Sequence, residues 1–509
     1  MIQIDGNHLE INSVVSVARY GEEVEIAPQG IENLRRSRRI LETILKSDQA
    51  VYGINTGFGI FSEKRIPLED SNRLSRNLIL SHAVAVGEPL PADVVRAAML
   101  VRANTLVKGY SGVREEVAQT LIKMLNKKVT PLVPQQGSLG SSGDLSPLSH
   151  LALVFTTDEA DLDEESGWAE YEGEILTGKE AMNRAGIPRL ILGPKEGLAI
   201  NNGATFSAAM AALIIYDAYQ SIRIANKATA LSLEALLGCS AAFDERIHQA
   251  RGHDGQMRIA KEIRKDIGGS TFLDAACRVQ DAYSLRCTPQ VHGTILETIE
   301  FAERIIQIEL NAATDNPLLF EPGVALSGGN FHGEPIGLAM DYVGIALAEL
   351  AAISERRIFR LLDAKLNGGL PPMLVDSPEA AGLNSGLMMP HYTAASLVLE
   401  NQTLAHPDSV HSLPTSGGQE DHNANAMTAA RHCWQILRNT QRVLAIELFT
   451  AARAVDLRMR QMPQFRLGHG TQQLWTSIRE KVPYREGDAW WAPEIERVEK
   501  MITSGELVS

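Results

Sequence analysis

The chain has 509 residues, of which 44% are hydrophobic and 22% charged, so it can bury a sizeable core as an ordinary globular protein does. Its formal net charge of −14 argues against nucleic acid or an anionic membrane surface as a main partner, because both require a net basic face. The four cysteines lack C-x-x-C spacing and the N-terminus lacks a signal-peptide pattern, so we expect reduced thiols, no metal site and a cytoplasmic location.

The first 125 residues predict helices joined by loops. Apolar residues at helical spacing predict helices over residues 31–45, 70–85, 92–107 and 115–125. Between the first two, the segment Val51 to Gly59 has three glycines in seven residues, which indicates a loop. Tyr52 at the start of this loop is either a packed turn residue or a phenol held for chemistry.

A loop dense in glycine and serine follows over residues 137–150 and leads into a helix predicted to begin near Pro147. At its centre Ser142 is flanked by Ser141 and Gly143, the pattern that backbone cyclisation requires. Because Gly143 has no Cβ, its amide nitrogen can attack the carbonyl carbon of Ser141, and loss of two waters then turns Ser142 into an exocyclic methylidene. The alternative is a flexible loop that caps a helix.

Beyond this loop, the acidic stretch 158–174 favours a solvated excursion or a short hairpin. From residue 197, long runs rich in alanine, leucine and isoleucine predict helices over 208–236, 291–311, 334–362 and 423–452. We therefore predict a mostly α-helical fold, with a smaller N-terminal domain of helices and loops over residues 1–190 and a long-helix bundle over residues 191–509. The most apolar run, 336–353, contains Asp341 and Glu349, which favours a buried helix over a membrane span.

Polar segments interrupt the long helices. They cover residues 197–204, 280–290, 311–317, 328–335 and 412–422. In the first, Asn202 is either a functional amide or a helix cap. In the second, Arg286 is suited to bidentate capture of a carboxylate, or else forms an inter-helix salt bridge. In the last, Glu420 is either a site residue or a complement to a helix dipole.

Taken together, in this order and at these separations, the segments resemble the aromatic amino acid ammonia-lyases and aminomutases that carry a methylidene-imidazolone, over roughly residues 45 to 455. The motif of that family usually reads Ala-Ser-Gly-Asp, and here Ser141 stands in the alanine position, where its side chain takes no part in ring closure. The resemblance implies a 4-methylidene-imidazole-5-one formed from Ser141, Ser142 and Gly143, with no external cofactor. It also implies a homotetramer whose active sites are each made by loops from three subunits.

The resemblance further implies a role for each polar segment. Tyr52 would be the base that removes the β-proton of the substrate, Asn202 would hydrogen-bond the ring oxygen, and Arg286 would hold the substrate carboxylate. Tyr283 would assist attack or release of the amine. Such a base needs a depressed pKa, and we expect the glycine loops and helix dipoles around Tyr52 to supply it. The remaining pocket residues implied by the resemblance are Gln280, Asn316 and Phe331.

Two positions indicate the substrate, an amino acid. The pair Ser81-His82 and the acid Glu420 match the histidine-specific members of the family, and an imidazole wants a hydrogen-bond partner on each nitrogen. The resemblance therefore implies elimination of ammonia from L-histidine to give trans-urocanate. The alternatives are a 2,3-aminomutase or a tyrosine or phenylalanine ammonia-lyase on the same scaffold, and a catalytically silent helical scaffold. The chain departs from the family pattern at residues 201–204, Asn-Asn-Gly-Ala in place of Leu-Asn-Gly-Thr, and at His292, where the histidine enzymes usually have methionine.

Overall fold

The computed structural model describes residues 1–47 and 50–507. It is 59% helical and 8% strand, which confirms the predicted mostly α-helical fold. The chain packs into two compact units. The first unit comprises Met1–Tyr216, Ala302–Asp341 and Pro407–Arg431, and the second comprises Asp217–Phe301, Tyr342–His406 and His432–Ser509. The boundary near residue 190 concerns domains along the sequence and stays a prediction.

The helices of the N-terminal region include all those that the sequence predicts. Their bounds are Ile11–Tyr20, Pro28–Leu45, Ser71–His82, Ala92–Val107, Glu115–Asn126, Leu145–Phe155, Gly178–Arg184 and Glu196–Asn201. Leu145–Phe155 begins two residues before Pro147, and that proline is tolerated because N–H groups of a first helical turn have no intrahelical partner.

The four long helices are Thr205–Ala235, Thr288–Glu309, Glu334–Leu362 and Ala426–Gln461, close to the predicted ranges. Glu334–Leu362 is long and apolar enough to cross a membrane, and 72% of its most apolar window is buried inside the protein, which confirms the predicted burial of this segment. The other helices are Glu245–Arg251, Asp254–Asp266, Tyr283–Arg286, Met388–Leu404, His469–Lys481 and Ala492–Thr503. Short 3-10 helices cover Gly59–Phe61, Leu68–Asp70, Asp163–Glu165, Ser240–Phe243, Pro372–Leu374, Pro378–Ala380 and Ser416–Gly418.

The strands are short and lie in the first unit. Two parallel pairs join Ile2–Ile4 to Val24–Ile26 and Thr156–Thr157 to Leu190–Ile191. The antiparallel pairs are Val86–Pro89 with Pro134–Gln136, Thr130–Pro131 with Trp168–Tyr171, Trp168–Tyr171 with Glu174–Thr177, and Leu318–Phe320 with Val324–Leu326. The hairpin of Trp168–Tyr171 and Glu174–Thr177 overlaps the acidic stretch 158–174, for which a short hairpin is one of the two predicted structures.

A buried arginine connects two successive helices of the first unit. Arg102 is fully buried, and its guanidinium donates to the carbonyl of Ala199 over 3.0 Å and to Thr205 Oγ1 over 3.1 Å. These contacts join the end of Glu196–Asn201 to the start of Thr205–Ala235. Burial lowers the pKa of Arg102 to about 10, so the side chain remains a cation at neutral pH.

Candidate active site

The loop that precedes Leu145–Phe155 packs directly on the backbone of Gly203. Gly143 forms a parallel bridge with Gly203, and the N–H of Asp144 donates to the Gly203 carbonyl over 2.9 Å. Gly143 has a φ of +79°, and a Cβ built on it would lie 2.0 Å from the carbonyl carbon of Gly203. Position 143 therefore excludes any side chain, both by its backbone conformation and by the approach of its neighbour.

The carbonyl oxygen of Ser142 receives two hydrogen bonds. Asn202 Nδ2 donates to it over 2.9 Å and the N–H of Gly203 over 3.1 Å. Asn202 is buried, and its Oδ1 has no hydrogen-bond partner within the described part of the chain. Two donors fixed on one carbonyl oxygen are an arrangement that stabilises negative charge developing there. The side chain of Asn202 is thus a donor to this loop, while its backbone forms the C-cap of Glu196–Asn201.

The carboxylate of Glu420 bridges the two serine hydroxyls. Ser141 Oγ donates to Oε2 over 3.0 Å and Ser142 Oγ donates to Oε1 over 3.1 Å. The main chain of Glu420 is held by Thr415, whose N–H donates to the Glu420 carbonyl over 2.8 Å. The following helix begins only at Ala426, so Glu420 is not in its first turn and the helix-dipole alternative is wrong.

Asp144 anchors the loop around Ser142 through its buried carboxylate. Its carboxylate is fully buried and accepts hydrogen bonds from Ser138 Oγ at 2.7 Å, the N–H of Ser207 at 2.8 Å and Ser207 Oγ at 2.9 Å. Burial raises the pKa of Asp144, and these donors oppose the rise. The sequence reasoning missed this anchor. Its signal was present in the Asp that follows Ser142-Gly143, directly before a helix.

Two adjoining cavities of about 570 and 710 Å³ lie beside the loop, both lined by residues of the first unit. Tyr52, Gly59, Ser142, Asn202 and Glu420 line both of them. The smaller cavity is also lined by Ser141, Asn316 and Phe331, and the larger one also by His82. The structure therefore brings together the candidate residues that belong to the first unit.

The surroundings of Tyr52 differ from the expectation. Burial raises the pKa of its phenol, and the carboxylates of Glu420 and Asp315 raise it further, while a hydrogen bond with the backbone of Gly59 lowers it. The expected depression of this pKa is therefore wrong for these surroundings, because burial of the phenol is the largest effect and the two carboxylates add to it.

His82 lies at the end of the helix Ser71–His82, and its Nδ1 is 3.0 Å from Ser81 Oγ. Burial lowers the pKa of His82, an effect that the carboxylate of Glu420 opposes. A histidine with a pKa below its usual value is neutral at physiological pH, so one ring nitrogen accepts a hydrogen bond and the other donates one.

The loop that contains Asn316 is fixed by a buried ion pair that sequence reasoning also missed. Asp315 pairs with Lys195, both side chains being fully buried, and also accepts the N–H of Asn316 over 2.7 Å. Asn316 Oδ1 in turn accepts the N–H of Gly328 over 2.8 Å. This chain of contacts sets the cavity wall that Asn316 and Gly328 share.

Gln280, Tyr283 and Arg286 belong to the second unit and are not among the residues that line the two cavities. A one-turn helix begins at Tyr283 and ends at Arg286. The guanidinium of Arg286 lies 4.6 Å from the centroid of the Tyr283 ring. Tyr283 is 71% exposed. Arg286 Nε is buried and has no hydrogen-bond partner among the residues that the structure describes.

His292, at the position that departs from the family pattern, is fully buried with Nδ1 2.8 Å from Asn226 Oδ1.

Over residues 1–47 and 50–507, no group of three or more His, Cys, Asp or Glu side chains is placed to hold a metal ion.

The comparisons with known proteins agree with one another over nearly the whole chain. The family model described as "Aromatic amino acid lyase" matches residues 9–480. A histidine ammonia-lyase from Caldanaerobacter subterraneus subsp. tengcongensis is 50% identical over 484 residues, which cover 94% of this chain and 92% of the relative.

Solved structures are also similar over nearly the whole chain, at lower sequence identity. The crystal structure of histidine ammonia-lyase from Trypanosoma cruzi has a TM-score of 0.90 at 37% identity and covers 99% of this chain and 94% of that one. The structure of tyrosine aminomutase from Streptomyces globisporus has a TM-score of 0.92 at 34% identity and covers 100% of this chain and 97% of that one. The match to the family model and these similarities confirm the predicted membership, and the chain belongs to the aromatic amino acid lyase family.

Proposed function

We propose that this chain is a carbon–nitrogen lyase that eliminates ammonia from L-histidine and releases trans-urocanate. The observation that carries the proposal is the meeting of Glu420 with Ser141 and Ser142 at cavities that Tyr52 also lines. The 50% identity to a histidine ammonia-lyase over nearly the full chain supports the same substrate. The proposal extends to a cytoplasmic enzyme that acts on a small amino acid, without a nucleic acid or membrane partner and without a metal.

The prosthetic group is part of this proposal. We propose that Ser141, Ser142 and Gly143 close into a 4-methylidene-imidazole-5-one, which supplies an electrophilic carbon to take up the substrate amine. The residues present fit this group in two respects. Position 143 has no room for a side chain, as ring closure through its nitrogen requires. The Ser142 carbonyl, which would become the ring oxygen, accepts from both Asn202 and Gly203.

Glu420 and His82 are proposed to bind the substrate imidazole. A carboxylate accepts from one ring N–H, and a neutral histidine can supply the partner for the other nitrogen. These groups also reject a phenyl ring, since each buried polar group left without a partner costs about 1–3 kcal/mol. Asn316 and Phe331 would form the adjacent wall of the cavity.

Tyr52 is proposed to remove the proton from the substrate Cβ. That proton is barely acidic, so the base must be aligned with it and must be in its phenolate form. The hydrogen bond with Gly59 favours the phenolate, whereas burial and the two nearby carboxylates disfavour it. An ammonium group arriving with the substrate would add a positive charge and offset that effect.

Arg286 is proposed to hold the substrate carboxylate, with Tyr283 assisting attack or release of the amine and Gln280 lining the pocket. A guanidinium forms a bidentate pair with a carboxylate, and Arg286 Nε is without a hydrogen-bond partner among the described residues. We propose that these three residues reach the cavities of another subunit in a homotetramer with composite sites. The high exposure of the Tyr283 ring supports this proposal.

A second candidate function is a 2,3-aminomutase, in which the amine is returned to Cβ. Its support is the similarity in structure to a tyrosine aminomutase at 34% identity and a TM-score of 0.92. Lyase and mutase share the first half of the reaction, so retention of the unsaturated product is what distinguishes them. A tyrosine or phenylalanine ammonia-lyase is the remaining variant on this scaffold.

The test is incubation of the purified protein with L-histidine, L-tyrosine and L-phenylalanine separately, following both free ammonia and the ultraviolet absorbance of the unsaturated acid. We expect urocanate and ammonia in equal amounts from histidine, and turnover at least about 100-fold lower with the other two. Absence of urocanate would contradict the proposal, and β-histidine in its place would select the mutase. The matched control is Ser142→Ala, which lacks the hydroxyl that ring formation must lose.

A further inference from the structure

The side chain of Ser141 contacts the same carboxylate as its neighbour. Ser141 Oγ donates to Oε2 of Glu420 over 3.0 Å, and Ser142 Oγ donates to Oε1 over 3.1 Å. Ser141 is buried and lines the smaller cavity, whereas Ser142 lines both cavities. Each hydroxyl therefore holds one of the two oxygens of Glu420, a residue that itself lines both cavities.

The two hydroxyls have different fates in the ring closure proposed above. The nitrogen of Gly143 bonds to the carbonyl carbon of Ser141, and the first water takes that carbonyl oxygen with the amide hydrogens of Ser142 and Gly143. The second water takes the Ser142 hydroxyl with its Cα hydrogen. No oxidant or reductant is needed, and the Cβ and Oγ of Ser141 remain. Oε1 of Glu420 thus loses a donor, while Oε2 keeps its own.

We propose that Ser141 is a positioning residue, whose hydroxyl holds Glu420 by Oε2 so that Oε1 accepts a hydrogen bond from the substrate imidazole. The inference rests on the proposed function and assigns a task to the residue that departs from the family motif. A carboxylate accepts several hydrogen bonds, so the two oxygens can serve different partners.

The surrounding contacts explain why this hydroxyl matters. Within the polar segment 412–422, Thr415 fixes the main chain of Glu420. The side chain of Thr415 holds the carboxylate only weakly, because its Oγ1 lies 3.4 Å from Oε2, near the limit of a hydrogen bond. Ser141 supplies the shorter contact to that oxygen. Without it, the carboxylate would gain rotational freedom that substrate binding must then remove.

The test uses two substitutions of the full-length protein. Ser141→Ala removes the hydroxyl, and Ser141→Cys keeps nearly the same volume but offers only a weak donor. Two probes report on the imidazole contact directly, trans-urocanate and trans-cinnamate, measured by equilibrium binding in ammonia-free buffer. They share the acrylate and differ in the ring, since cinnamate has no imidazole N–H.

We expect peptide 137–150 to show loss of two waters in wild type and in both variants. The affinity for urocanate should fall about 3- to 10-fold in both variants, as loss of one hydrogen bond produces, and KM for histidine should rise equally while kcat changes less than about twofold. Affinity for cinnamate should stay within about twofold of wild type.

Several results would overturn the inference. They are unchanged urocanate affinity in Ser141→Ala, wild-type behaviour of Ser141→Cys, an equal loss for cinnamate, a fall in kcat alone, or failure of either variant to lose two waters. Failure of the proposed function is distinguishable, because wild type would then keep its full mass at peptide 137–150 or produce no urocanate from histidine.

Discussion

The loop Ser138–Asp144 in the first unit and the segment around the helix Tyr283–Arg286 in the second differ in how their side chains are held. In the loop, Asp144 is fully buried and carries three short hydrogen bonds. In the segment, Tyr283 is 71% exposed, and its contact with Arg286 is a cation–π approach at 4.6 Å. The loop is organised by contacts within its own unit, whereas the segment leaves the Tyr283 ring exposed and Arg286 Nε without a hydrogen-bond partner among the described residues.

The difference indicates how the proposed site divides its tasks. A tripeptide that must cyclise needs its backbone held before any substrate arrives, because misplacement of the reacting atoms is costly. Arg286, proposed to hold the substrate carboxylate, is needed only when the substrate binds. Another subunit can therefore supply it. We therefore expect activity to depend on the reacting groups of the loop in the first region. For the second region, we expect activity to depend on assembly of the subunits.

The largest expected effect comes from breaking the first region. Ser142→Ala removes the hydroxyl that ring closure must lose, so turnover of histidine should fall by about a thousandfold or more, with the fold intact. Urocanate formation and the thermal unfolding midpoint check the two halves of this prediction. Wild-type turnover in this variant would refute the prosthetic group.

The next effect comes from the second region. Arg286→Met removes a charge-assisted bidentate pair, and kcat/KM for histidine should fall about 10- to 100-fold, mostly through KM. Steady-state kinetics measure the change, with Arg286→Lys as the variant that keeps the charge and loses the fork. An unchanged KM would exclude Arg286 as the carboxylate clamp.

Assembly can be tested with the same residues. Co-expressed Ser142→Ala and Arg286→Met chains, each impaired alone, should regain part of the wild-type activity if the two regions of one site come from different subunits. Mixed oligomers purified by two affinity tags report this directly. Activity no greater than the sum of the separate variants would place both regions of a site in one chain.

A smaller difference separates two residues of the first region. Glu420→Gln keeps the shape and loses the charge, so kcat/KM for histidine should fall about 10- to 100-fold, whereas Ser141→Ala should cost about 3- to 10-fold. Steady-state kinetics of the two variants with histidine, measured side by side, test this difference in kcat/KM. Equal effects would mean that the assignment of Glu420 to the imidazole is wrong.

The smallest expected effect is a shift with pH. The pKa of Tyr52 is raised by burial and by nearby carboxylates, and the base must be deprotonated, so kcat/KM should increase as pH rises above neutrality. Glu420→Gln removes one of those carboxylates and should move this increase to lower pH by less than about one unit. A shift of this increase to higher pH would show that a group other than Tyr52 controls the rise of kcat/KM with pH.

The sequence predicts the helices well because their apolar residues repeat at helical spacing over many turns. Glu334–Leu362 has the predicted bounds, and Ala92–Val107 likewise. It predicts the candidate residues of the first unit because each sits in a polar segment at a loop or a helix end. It does not predict the anchor between Asp144 and Ser207 or the pair of Lys195 with Asp315, because these partners are 63 and 120 residues apart.

Surroundings in space also explain the error at Tyr52. The glycines around it are visible in the sequence, but the burial that chiefly raises its pKa arises only on folding, and the carboxylates that add to it come from Glu420 and Asp315, distant in the chain. Similarly, the helix-dipole alternative for Glu420 depended on where the last long helix begins. That helix starts at Ala426, three residues later than predicted, and Glu420 instead contacts the serine pair.

The central claim is that Ser141, Ser142 and Gly143 become the electrophile of a histidine-cleaving site. Mass spectrometry of peptide 137–150 from the purified wild-type protein, beside the same peptide from Ser142→Ala, tests it most directly. We predict that the wild-type peptide lacks two waters relative to its linear sequence and that the Ser142→Ala peptide does not lose two. A wild-type peptide at its full linear mass would contradict the account.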